Sequence, residues 1–108
     1  MMNKEKYISM HGIDPIGMME SVLSIYDVDL HSKSRDRFTS DLRKMFCAFL
    51  YKNSRMTIKN ISNIVGKSIG NVSYYLSSHD LKMINNVAYA ERYDVFQDKM
   101  RKDSAQTI

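Results

Sequence analysis

Between Lys33 and Lys67 the sequence places nine basic residues (Lys33, Arg35, Arg37, Arg43, Lys44, Lys52, Arg55, Lys59, Lys67) against two acids, Asp36 and Asp41. That stretch carries +7 in a chain whose formal net charge is +4, so the flanks are net acidic. The sequence pI is near 9.2. A cationic cluster of this kind suits a polyanion, either nucleic acid or an anionic membrane. A solubilising coat would spread its charge, whereas this one is concentrated like a binding surface. Directly after Lys67 come Ser68, Gly70, Asn71 and Tyr74. An amide such as Asn71 can bond the adenine edge through two hydrogen bonds. Gly70 permits close backbone approach, at roughly 1 kcal/mol of helix propensity. Tyr74 can stack on sugar-phosphate or bond a phosphate. Ile69 fits either a thymine methyl or the core, and burial is the preferred reading.

Other chemistries find no support. His11, His31 and His79 are scattered without a second ligand at metal spacing, so no metal site is expected. No Gly-rich phosphate loop, nucleophile–base pair or facing carboxylate pair stands out, so no catalytic residue, cofactor or enzymatic activity is expected. The one cysteine, Cys47, sits in the apolar run Met45–Leu50 and reads as a buried thiol in a reducing cytoplasm. No apolar run is long enough to span a bilayer and no signal-peptide core opens the chain, so a cytoplasmic protein without a membrane partner is expected. The nine methionines, Met19, Met45 and Met83 among them, read as core filler.

These side chains must be held by helices. The 108 residues fit one domain, expected over 13–102 between a partly ordered leader (1–12) and a tail (103–108). Asp14 caps a first helix with Pro15 at its first position, and Ile16, Met19, Val22, Leu23 and Tyr26 form its inner face. Residues 27–34 read as a connection. From about Arg37 to Tyr51, Phe38, Leu42, Met45, Phe46, Phe49 and Leu50 give a wide apolar stripe, the centre of the core. Thr57 caps a short helix burying Ile58, Ile61, Ile64 and Val65, with Gly66 as its left-handed stop. A fourth helix follows from Ser68 or Ile69 to Ser77, with Val72, Tyr75 and Leu76 inward. The last spans about Lys82 to Lys102, with Met83, Val87, Ala90, Tyr93, Phe96, Gln97 and Met100 on one side. The predicted fold is all-α, a compact bundle of about five helices with no strand. Within it, residues 58–75 have helix-turn-helix spacing: Ser62 supplies the small contact residue, and the second helix presents its leading end to a major groove.

Segment Ile13 to about Asp80 resembles the C-terminal DNA-binding domain of the bacterial replication initiator DnaA. The likeness rests on Tyr26-Asp27-Val28, similar to that family's EYYxV stretch, and on Ser32-Lys33-Ser34-Arg35-Asp36-Arg37, similar to its SKxRxR loop. Gly66-Lys67-Ser68-Ile69-Gly70-Asn71-Val72 aligns with its GRDHTTV signature. The resemblance implies double-stranded DNA as partner, with Arg35 in the minor groove and Lys33, Arg37 and Arg43 on phosphates. Lys44 reads equally as a phosphate contact or plain surface, and Thr57 as a phosphate contact, a cap, or both. Lys67, Ser68, Gly70, Asn71 and Tyr74 would face the major groove. Lys67 through Asn71 depart from the signature at the base-reading positions, so the standard DnaA box is not expected as the target. With no ATP-binding loop, the expected role is a stand-alone regulator or accessory replication factor. About five neutralised phosphates would give a log K against log salt slope near −4.5. The alternative is a protein-interaction module that keeps the fold without DNA binding; RNA binding is disfavoured because no aromatic strand platform exists to stack single-stranded bases.

Overall fold

The structure, a computed structural model, describes residues 13–107. The expected leader, residues 1–12 with His11, lies outside the described residues. Five helices and no strand are present among the described residues: α1 (Pro15–Tyr26), α2 (Arg37–Asn53), α3 (Ile58–Val65), α4 (Ile69–Asn85) and α5 (Val87–Thr107). The all-α expectation holds.

The helix starts follow local chemistry. Asp14 accepts a hydrogen bond from the Gly17 N–H at 2.9 Å, with Pro15 next in line. Asp36 accepts from the Thr39 N–H at 3.0 Å and opens α2. Thr57 and Asn60 form a reciprocal capping box at α3. α1 stops at Asp27, whose φ of 57° is left-handed, and α3 stops at Gly66 with φ 68°.

α2 is the central element. Residues 41–50 are all buried, and the helix packs most extensively against α4 while also touching α3 and α5. Val22, Phe46, Leu50, Ile61, Val72, Tyr89, Phe96 and Met100 form the driest part of the core. Burying side chains of this size contributes roughly 1.5–3 kcal/mol each. One acid is buried with them: Asp41 meets Arg92 of α5 at 2.9 Å and Lys82 of α4 at 3.5 Å. A charge placed there needs both partners to offset its desolvation.

Expectations on element faces and ends are corrected at five points. On α1 the buried stripe is Pro15, Met18 and Val22, one residue round from the predicted one; Met19 and Tyr26 are partly covered and Leu23 is exposed. Phe38 is also exposed, against the Tyr26 ring at 6.2 Å. The largest difference lies at the end of α4, which runs past Ser77 to Asn85 instead of breaking. Ser77, Ser78 and Asp80 are mediocre helix formers, but His79 among them is buried. Its Nδ1 shares a hydrogen bond with the Tyr89 hydroxyl at 2.6 Å, and its ring stands 4.4 Å from that of Tyr93. Lys52 of α2 pairs with Asp80 at 3.2 Å. Tertiary contacts therefore carry the helix through the weak stretch. The break falls at Asn86, whose backbone is extended and whose side chain accepts the Tyr89 N–H at 3.0 Å. Val87, expected inward, is exposed as a result, and α5 continues beyond the expected Lys102 to Thr107.

Burial, with the positive charge of Lys52 adding to it and Asp80 opposing, brings the His79 pKa down to about 4. The folded form thus holds this imidazole neutral at pH values where the unfolded chain has protonated it. Its contribution is complete above pH 6.5 and drains away as pH falls toward 4. Urea denaturation across that window should lose on the order of 3 kcal/mol. His79→Gln should flatten the dependence, and an unchanged slope in that variant would show that other groups cause it.

Candidate nucleic-acid interface

The connection between α1 and α2 is a loop held from beneath by one side chain. Arg43 of α2 is only 5% exposed, and its guanidinium is spread across the inner side of that loop. Nε donates to the Leu30 carbonyl at 3.2 Å and Nη1 to the Ser34 carbonyl at 2.6 Å. Nη2 donates to the Ser32 carbonyl and to Ser32 Oγ, the latter at 3.1 Å. Arg43 is therefore not an outward phosphate contact, as its place in the sequence implied. α2 is covered all round between 41 and 50, so it has no solvent face there. Lys44 is buried for the same reason, with Nζ 5.8 Å from the centre of the Tyr74 ring.

A second set of contacts ties the loop to the turn between α3 and α4. Lys67 Nζ donates to the Ser32 carbonyl at 2.9 Å and reaches the His31 carbonyl at 3.5 Å. His31 Nε2 donates to the Ile64 carbonyl at 2.7 Å, at the end of α3. The His31 ring lies so close to Gly66 that a Cβ there would sit 3.3 Å from it, in addition to the strain of the positive φ. Desolvation, then the neighbouring charges of Arg43 and Lys33, lower the Lys67 pKa, with Asp29 opposing. Lys67 is thus half-buried and engaged within the protein, and less outward than the sequence implied.

These contacts hold residues 31 and 32 of the cationic loop against the turn that leads into α4. The side chains of Lys33, Arg35 and Arg37 are exposed, and none makes a hydrogen bond or ion pair to another described residue. Between the two arginines, Asp36 remains a carboxylate: hydrogen bonds from Ser34 and then Thr39 hold its pKa down to about 2. On α4, Ser68 caps the helix by accepting the Asn71 N–H at 3.0 Å. Asn71 is exposed, and its side-chain amide makes no hydrogen bond to a described residue. Ile69 is 51% exposed, which corrects the preference for burial; it occupies the first turn of α4, beyond the reach of the core. Among the described residues a Cβ on Gly70 would meet only Ser68 Oγ, at 3.9 Å, so none of them requires a glycine there. Tyr74 is exposed, its ring lying against Lys44 and Tyr75. Thr57 stands apart. It is exposed, occupied by its capping box, and lies at the far end of α3, about 12 Å along that helix from Gly66.

Sequence reasoning missed His31 and Ser32 as the residues that join the loop to the turn. Ser32 acts through its backbone carbonyl, which no residue type announces, and His31 looked like one of three scattered histidines. Cys47 is buried, as expected, and burial pushes its thiol up to about 12, with Arg43 opposing. Among the described residues no three His, Cys, Asp or Glu side chains are grouped to hold a metal, and no helix is long and apolar enough to cross a membrane. In comparisons with protein-family models, curated proteins and solved structures, nothing matches the chain.

The geometry makes Arg43 a positioning residue with a specific requirement for a fork of donors. Arg43→Lys should destabilise the protein by at least about 2 kcal/mol, since one ammonium cannot serve Leu30, Ser32 and Ser34 together. Urea denaturation measures this, and a loss as small as that of a surface Lys59→Ala control would contradict it.

Proposed function

We propose that this chain is a double-stranded DNA-binding module in which α3 and α4 act as a helix-turn-helix. The leading end of α4 enters the major groove, while the Lys33–Arg37 loop lies over the neighbouring backbone with Arg35 in the minor groove. The single observation that carries this reading is the Lys67–Ser32 contact at 2.9 Å, which sets the loop and α4 side by side. A duplex presents adjoining grooves, and a cationic loop held next to a polar helix end offers one element to each. Unsatisfied exposed polar groups on that face, Asn71 above all, support it further. So does Gly70, which costs helix stability and serves no contact inside the chain. The likeness to the DnaA C-terminal domain gives the same docking, with a regulator or accessory replication factor as the corresponding role. The base-reading residues differ, so the standard DnaA box is not the proposed target.

A second reading, a protein-interaction module, is favoured by one separate observation. At the corner between α4 and α5, Leu81, Ile84 and Val87 are exposed, Ile84 by 80%. That corner is at the opposite end of α4 from Ser68, about 25 Å away for a helix of this length, so a protein partner there is compatible with DNA at the other end.

Arg43 and Lys67 are engaged internally, which reduces the phosphates that the face can neutralise to about three or four, for a salt slope near −3. Fluorescence anisotropy with a duplex should give that slope. Arg35→Ala should weaken binding, and Gly70→Ala should weaken it while raising stability by up to about 1 kcal/mol. Absence of duplex binding at low salt, or full activity in Arg35→Ala together with loss in Ile84→Ser, would favour the protein-interaction module instead.

A further inference from the structure

The exposed first turn of α4 holds a narrow set of chemistries. Guanine is most often read by a free Arg or Lys that donates to its O6 and N7. Lys67, the cation that precedes this turn in the chain, has its ammonium turned back onto the Ser32 and His31 carbonyls. What remains outward is a branched apolar side chain, Ile69, and an amide, Asn71, two positions apart in the same turn, with no side chain on Gly70 between them. An amide matches the N6 donor and N7 acceptor of adenine, and an apolar side chain matches the C5-methyl of thymine.

We infer that the α4 surface selects A·T base pairs in the major groove, Asn71 reading adenine and Ile69 a thymine methyl, and discriminates against G·C at those positions. This rests on the DNA-binding reading above and adds the chemistry of the target. The absent Cβ at Gly70 lets the backbone between the two readers approach the base edges. Ser68, whose hydroxyl oxygen already accepts the Asn71 N–H, keeps its proton for a phosphate or a base acceptor.

The test is selection from a duplex library with a randomised core, using the full chain, followed by atom-level substitution in the selected duplex. Adjacent A·T pairs should emerge at the positions protected by α4. Replacing the contacted thymine by deoxyuridine removes only the methyl, and replacing the contacted adenine by 7-deazaadenine removes only the N7 acceptor. Each should weaken wild-type binding, the 7-deaza change by about fivefold or more. The deoxyuridine effect should vanish in Ile69→Ala, and the 7-deaza effect in Asn71→Ala. Both residues are exposed, so neither variant endangers the fold. A bound duplex with G·C pairs or no preference at these positions, or penalties that persist in the variants, overturns the inference while leaving DNA binding intact. No bound duplex at low salt overturns the DNA-binding reading and this inference with it.

Discussion

A guanidinium withdrawn from water must find acceptors for its donors, and Arg43 finds them in the loop that precedes its own helix. The Leu30, Ser32 and Ser34 carbonyls turn inward to meet it. Those carbonyls would otherwise face solvent from a loop with little apolar content. Their inward turn fixes the path of residues 30–34, and the side chains on the other side, Lys33 and Arg35, are left pointing away from the protein's own acceptors. Lys67 sits in the positive field of Arg43 and donates to the Ser32 and His31 carbonyls.

The loop would be a separate feature without the turn between α3 and α4. His31 reaches the Ile64 carbonyl near the end of α3, Lys67 reaches back to Ser32, and Gly66 leaves space for the imidazole. Contacts between residues more than thirty apart therefore hold the loop against the turn. Pre-ordering of that kind reduces the entropy that would otherwise be lost on docking. At the other end of α4, the buried Asp41 with Arg92 and Lys82, and His79 with Tyr89, fix the helix against α2 and α5. Whatever meets the leading end of α4 meets an element braced along its full length.

Much of the fold was legible because its signals are local. Asp14-Pro15, Thr57 and Gly66 announce helix ends by their own hydrogen bonds and backbone preferences, and the α2 stripe from Leu42 to Leu50 announces the core. The break after Ser77 was misjudged because weak propensity is local while the burial of His79 by Tyr89 and Tyr93 is not. Arg43 was misjudged on the same ground: a basic residue on a helix reads as solvent-facing until three carbonyls close over it. The exposed members of the candidate face, Lys33, Arg35, Arg37, Ser68, Gly70 and Asn71, were legible by residue type. What joins the loop to the turn, the Ser32 carbonyl under Lys67 and the His31 ring on Ile64, depends on carbonyl and ring positions that no sequence pattern encodes.

Amide NMR during titration with a duplex tests most directly whether the loop and α4 form one binding face. Resonances from residues 31–37 and 67–74 are predicted to shift together along a single saturation curve, with residues 81–88 unmoved. A response confined to one of the two segments, or centred on the α4–α5 corner, would contradict the account.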